Sequence, residues 1–215
     1  MLKKTSSPKK LLVLGPHPDD EIACAGLIRR LAENGFEIYH WFFSLCENSI
    51  KRLGGTEKDL LEECNNSRTT LGIPLKNCGH FSFPVRHFQK YRQEILEELI
   101  LLKKKINPSL VLIPSRHDIH QDHSCVYQES LRAFKHCSIL GYELPWNMFS
   151  SNHNFFVNLT EEQFKIKMDA LKCYKSQSSK IYFDQEFFYS LAKVRGVQVS
   201  TQFAEAYEPI RVIIE

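Results

Sequence analysis

Glycine and proline are scarce, nine of each in 215 residues, which excludes collagen-like and low-complexity chains. No run approaches the roughly 18 apolar residues of a membrane span. Near the start, only Leu11-Leu12-Val13-Leu14 precedes Gly15, shorter than the roughly 7-residue core of a signal peptide. The seven cysteines are odd in number and never spaced C-x-x-C. That argues against a zinc ribbon or a thioredoxin-like site and for small buried thiols kept reduced. Net charge is only +3. Lys3, Lys4, Lys9 and Lys10 make the start basic, and Lys103-Lys104-Lys105 end a helical stretch whose dipole they complement. No nucleic-acid partner is expected from so slight a charge. No G-x-G-x-x-G follows the first strand, which removes the dinucleotide-binding fingerprint. These features predict a cytoplasmic protein.

Hydrophobic residues make up 43% of the chain, enough for residues 1–215 to form one globular domain that buries about 70% of its unfolded surface. Strand and helix patterns alternate without repeats or Pro/Ser-rich linkers. Leu11–Leu14 reads as a buried strand and Ile22–Asn34 as a helix stopped by Gly35; Phe36–Phe43 reads as a strand. A polar stretch leads to a helix over Thr56–Leu71, capped by Thr56 and stopped at Gly72, then to a short strand over Cys78–Phe83. Phe88–Ile106 has helical spacing; Leu110–Ile113 is a buried strand, and Ser124–His136 a helix. Ile139–Leu144 and Phe155–Val157 read as strands. Thr160 and Gln163 form a capping box for a helix reaching about Tyr174. Glu186–Val194 reads as a helix and Arg211–Ile214 as a strand. The alternation predicts an α/β sheet with helices on both faces and ligands beyond the carboxyl ends of its strands.

Two chemically loaded segments fall at such ends. His17-Pro18-Asp19-Asp20-Glu21 follows the first strand. The acids alone would suit a helix start, but a cap needs no imidazole. His17 and Asp20 stand three apart in a turn, close enough to share one cation, while Asp19 is left free to handle a proton. Asp118-Ile119-His120-Gln121-Asp122-His123 follows the strand Leu110–Ile113 and gathers histidines and acids just before a helix. Catalytic zinc commonly takes three N/O ligands and keeps a position open. His17 and Asp20 supply a close pair, and His123 a distant third. Zn²⁺ is the expected ion, with Fe²⁺ and Mn²⁺ suited to the same donors.

With these motifs in order, each after a buried strand, the sequence resembles the LmbE-like, or PIG-L, family of metal-dependent de-N-acetylases. The resemblance rests on H-P-D-D at His17–Asp20 and D-x-H-x-D-H at Asp118–His123. It continues through Glu62-Glu63, Leu71-Gly72-Ile73, Tyr174-Lys175-Ser176-Gln177, Arg195-Gly196 and Ala204-Glu205-Ala206-Tyr207. It implies a Rossmann-like three-layer α/β fold with a mainly parallel sheet and an active site at the strand C-terminal edge. It makes His17, Asp20 and His123 metal ligands, Asp19 the general base and His120 the oxyanion-stabilising group. Asp122 would orient His120 and favour its charged form. The implied substrate is a small N-acetylglucosamine-type sugar joined to another group, from which the enzyme releases acetate.

The sequence also departs from the family. Only Gly26, followed by Leu27, stands where a Gly-Gly pair is common, and Lys58 is the nearest basic residue where an Arg often starts the Glu62-Glu63 helix. Pro84-Val85-Arg86 and Gly141–Asn147 mark a narrower branch, and Arg86, Trp146 and Asn147 are expected to line its pocket; Trp146 suits a core equally well. Two other classes compete: a metal-dependent phosphoesterase, which would release phosphate in place of acetate, and a sugar- or nucleotide-binding module. Retention of both Asp19 and His120 argues against the module. Composition leaves the oligomeric state open.

Overall fold

The computed structural model describes residues 8–214; Lys3 and Lys4 of the basic start lie outside them. Strand β1 (Lys10–Gly15) runs parallel between β2 (Glu37–Phe42) and β4 (Leu110–Pro114). Beyond them, β3 (Cys78–His80) pairs with β2 and β5 (Ser138–Tyr142) with β4, again parallel. β7 (Phe203–Arg211) lies antiparallel to β5 and to β6 (Phe155–Leu159), giving the order β3-β2-β1-β4-β5-β7-β6. The chain leaves β1 toward β2 and β3, then returns to place β4 on its other side. The cleft between β1 and β4 is therefore where the winding reverses, the place at which open α/β sheets bind ligands.

Side chains of β1 are buried on both faces, which is why its sequence is a continuous apolar run. Leu11 and Val13 join a core with Ile28 of α1 (Ala25–Glu33), Leu60 of α3 (Glu57–Leu71), Phe164 of α6 (Glu161–Leu171) and Phe188 of α7 (Gln185–Gln198). Leu12 and Leu14 join a second core with Ile95 and Leu99 of α4 (Arg92–Ile106) and Val126 of α5 (Gln121–Ala133). A short α2 (Glu47–Arg52) occupies the polar stretch after β2. The expected three-layer arrangement is thus present.

The expected capping box of Thr160 with Gln163 forms, and Thr56 caps its helix through a second box with Asp59. Gly35 and Gly72 adopt the left-handed conformation that ends a helix (φ 81° at each). Several expectations need correction. The helix expected from Phe88 starts at Arg92, after a 3-10 turn over Phe88–Tyr91, and the strand expected to reach Phe83 ends at His80. The helix expected from Ile22 starts at Ala25, because Asp20–Cys24 is wound as a tighter 3-10 turn. The helix expected from Ser124 begins at Gln121, so His123 stands in its first turn. The last strand is Phe203–Arg211 and not Arg211–Ile214. Glu205, Glu208 and Pro209 disguised it, since acids and proline are unfavourable inside a sheet. Glu205 is nonetheless buried, accepting from the amides of Gly26 and Leu27 at 2.8 Å each and from Lys167 Nζ at 2.6 Å. Glu208 accepts from Ser115 Oγ at 2.8 Å, and a register shift opposite Ile139 and Leu140 accommodates Pro209.

Candidate active site

The loops after β1 and β4 carry the site. Gly15 lets the first turn back at once: a Cβ there would sit 2.8 Å from the carbonyl oxygen of His17. The turn closes when the Asp20 carboxylate accepts from the His17 amide at 2.7 Å. In the second loop, Asp118 accepts from the amide of His120 at 2.9 Å. His120 caps α5, its Nδ1 accepting from the Asp122 amide at 3.2 Å. Loop geometry alone thus aims one imidazole from each side across the cleft.

His17 Nδ1 and His123 Nε2 lie 3.1 Å apart, and Asp20 Oδ2 lies 3.6 Å from the first and 3.7 Å from the second. Zinc bonds of about 2.0–2.1 Å in a tetrahedron place ligand atoms roughly 3.4 Å apart, so the donor set fits a divalent cation. The outer nitrogens are fixed as well. His17 Nε2 is 3.2 Å from Asp122 Oδ2, and His123 Nδ1 is 2.7 Å from Asp118 Oδ2. An ionised carboxylate only accepts, so in the neutral form of each ring the outer nitrogen carries the hydrogen and the inner one presents a lone pair. His120 completes a three-histidine cluster whose ligand atoms all lie within 4.8 Å of one another. That cluster can hold a single divalent metal, for which Zn²⁺ is the common choice.

Electrostatics follow from this crowding. Burial opposes a charge on His123, but Asp20 and Asp118 outweigh it and raise its pKa to about 9. Burial, helped by His123 and His17, lowers His120 to about 4. Its Nδ1 accepts from Asp122 N, so the neutral ring carries its hydrogen on Nε2. Burial also raises the Asp20 pKa, against the pull of His123 and His17. Asp122 is lowered: burial opposes its charge, but the His17 bond and the Arg86 amide prevail. The Asp122 carboxylate is bonded to His17 and to the amides of Arg86 (2.7 Å) and Phe88 (3.5 Å). It touches His120 through its backbone amide, where the sequence had suggested the carboxylate.

A cavity of about 530 Å³ opens over these groups, lined among others by Asp19, Arg86, Trp146, Asn147 and Lys180. Arg86, Trp146 and Asn147 stand on its wall. Trp146 is also packed, stacking on Tyr182 with centroids 4.5 Å apart. Asn147 donates to Asp118 Oδ2 at 3.4 Å. Sequence reasoning missed three participants: Asp118 as the partner of His123, Lys180 with Nζ 3.7 Å from Asp19 Oδ2, and Glu21 beneath the loop. Glu21 is buried, accepting from Ser67 Oγ at 2.6 Å and Tyr174 OH at 2.5 Å. Asp118 and Glu21 left a local trace as members of their motifs, and Lys180 left none.

Comparison with known proteins agrees with this geometry. The chain is 31% identical over 183 residues to an uncharacterized deacetylase, YaiS, of Escherichia coli, covering 82% of this chain and 96% of that one. It is 25% identical over 193 residues to a diacetylchitobiose deacetylase of Thermococcus kodakarensis, covering 79% and 70%. Among solved structures, the A40926 pseudoaglycone deacetylase Dbv21 superposes with a TM-score of 0.79 at 16% identity, covering 97% of this chain and 100% of that one. GalB, a 4-carboxy-2-hydroxymuconate hydratase of Pseudomonas putida, gives 0.79 at 19% identity, covering 96% and 98%. These two likenesses show the fold; the second shows that it also carries another reaction. The family model described as PIG-L, GlcNAc-PI de-N-acetylase, matches residues 12–134, which include both loops of the site. The chain belongs to the PIG-L family, and its cleft is that family's metal-dependent deacetylase site.

Proposed function

We propose that this protein removes the acetyl group from an N-acetylglucosamine-type sugar conjugate, releasing acetate and a free amine. The observation that carries the reading is the triangle of His17 Nδ1, Asp20 Oδ2 and His123 Nε2, with sides of 3.1–3.7 Å. We assign those three as the metal ligands. A bound divalent cation supplies Lewis acidity, polarising the acetamide oxygen and easing the ionisation of water. Asp19 takes the proton of the attacking water as the new C–O bond forms and the carbonyl electron pair moves onto oxygen. His120 Nε2–H donates to that oxyanion, a contribution typically worth about 3 kcal/mol. A neutral ring suffices, because the hydrogen already sits on the nitrogen left free by the Asp122 amide. When the C–N bond breaks, Asp19 returns its proton to the leaving nitrogen. Lys180 stands as the charge partner of Asp19 throughout. Among the described residues no helix is long and apolar enough to cross a membrane. The seven cysteines are free, which suits the reducing cytoplasm.

The test is metal content beside acetate release. Wild type should carry about one zinc or iron per chain and release acetate from N-acetyl sugars; Asp20→Ala should lose the metal. Asp19→Ala should keep the metal and lose about 10²- to 10⁴-fold in rate. Near-full activity of Asp19→Ala at saturating metal would refute the base assignment. Phosphate release, or hydration of an alkene without acetate release, would replace the proposed reaction class. A wild type that takes up no metal and only binds sugar would favour the binding module.

A further inference from the structure

The charges lining the cavity do not balance locally. Asp20 belongs to the cation site, and Asp19 faces Lys180. Arg52, in the last turn of α2, and Arg86, in the turn after Pro84, also line the cavity. Among the described residues, neither guanidinium has a carboxylate within ion-pair distance. The side chain of Arg86 donates from Nη2 to Ser49 Oγ at 3.3 Å, a neutral acceptor. Glu47, five residues before Arg52, is occupied by the Val85 amide and Ser44 Oγ.

The backbone adds an independent observation. Arg86 has φ +69°, a left-handed conformation that glycine adopts freely and side chains resist. The turn is needed because the Arg86 amide donates to Asp122 Oδ2, which in turn holds His17. Any residue supplies that amide, and glycine would do so with the least strain. An arginine here answers no demand of the turn; what it adds is a guanidinium on the cavity wall.

We propose that Arg86 and Arg52 form an anion subsite, so that the substrate is an acetamido sugar bearing a phosphate ester or a carboxylate away from the scissile amide. Guanidinium groups suit both, through paired charge-assisted hydrogen bonds. The chemistry rests on the deacetylase reading; the binding preference does not.

The experiment compares kcat/KM for acetate release from N-acetylglucosamine, N-acetylglucosamine 1-phosphate and N-acetylmuramic acid, with calorimetric binding of the phosphate compound alongside. Wild type should prefer at least one charged sugar over the neutral one by about tenfold or more, and the preference should shrink with salt. Whichever charged sugar gains more identifies the anion. Arg86→Gly should bring the charged-to-neutral ratio toward one while its thermal midpoint holds or rises, since the turn is relieved. Arg52→Gln should lower the same ratio without needing any change at the strained position. Equal or better use of the neutral sugar, or a preference that survives the double variant, would overturn the proposal while leaving deacetylation intact. Should no sugar release acetate, tight binding of the phosphate compound that is lost in Arg86→Gly would keep the anion subsite and remove the proposed N-acetylglucosamine-type substrate. Absence of both removes the subsite as well.

Discussion

A buried imidazole offers two nitrogens, and which one faces a metal is decided by what the other one touches. For His123 that partner is Asp118, at 2.7 Å and buried with it. Asp118→Asn keeps the shape, but an amide can present either an oxygen or an NH₂ to Nδ1, and the charge is gone. The expected result is a loss of about 10- to 100-fold in zinc affinity with the fold unchanged, measured by competition against a chromogenic chelator. Affinity equal to wild type would mean that His123 is oriented by helix position alone. His17, Asp20, His120 and His123 were legible in the sequence because each segment is short and its chemistry unusual for a helix start. The tautomer-setting pairs were harder to see. Asp122 reaches across to His17, 105 residues away, and Lys180 meets Asp19 from a distant loop. No spacing within one segment encodes such a meeting.

At the scale of elements, α1 starts on a side chain from the far end of the chain. Glu205 of β7 accepts from the amides of Gly26 and Leu27, the donors left over at a helix N-terminus. Lys167 of α6 bonds the same carboxylate and the carbonyl of Ala23 at 3.1 Å. Three elements are thereby pinned behind the 3-10 turn that carries Asp20. Glu205→Gln leaves Lys167 buried without its counter-charge and should cost about 3–5 kcal/mol in urea unfolding. Adding Lys167→Met should recover much of that loss, because the uncompensated charge disappears with it. Additive losses in the double variant would show that the two residues stabilise the fold separately. The sheet's parallel half was readable because buried parallel strands are plain apolar runs. β7 was not, since its acids make sense only once α1, α6 and the loop of Ser115 are in place around it.

Over the whole molecule, two buried groups near the site make stability depend on pH in the same direction. Burial lifts the Glu21 pKa from 4.5 to about 8, and Ser67 and Tyr174 recover only part of the cost of its charge. Among the described residues its Oε2 has no hydrogen-bond partner, so protonation relieves an uncompensated buried charge. Below pH 4.5 the folded and unfolded chains both hold this proton. Between 4.5 and 8 only the folded chain does, so stability falls as pH rises, by about 1 kcal/mol per pH unit. His123, raised from 6.5 to about 9, contributes stability that is complete below pH 6.5 and lost as pH rises to 9. Between about pH 4 and 6.5 the lowered His120 works in the opposite direction to Glu21, so in chelator the unfolding free energy should decline as pH rises from 6.5 to 9. Glu21→Gln, nearly isosteric and uncharged, should roughly halve that decline between pH 6.5 and 8 and leave the part from 8 to 9 unchanged. Zinc reverses the contribution of His123, because a cation must displace its proton. Each unit of pH up to 9 should raise apparent zinc affinity about tenfold for that one proton, so the thermal shift produced by a fixed zinc excess should grow with pH. A shift that stays flat from pH 6.5 to 9 would mean that His123 gives up no proton on binding, and would remove it from the ligand set.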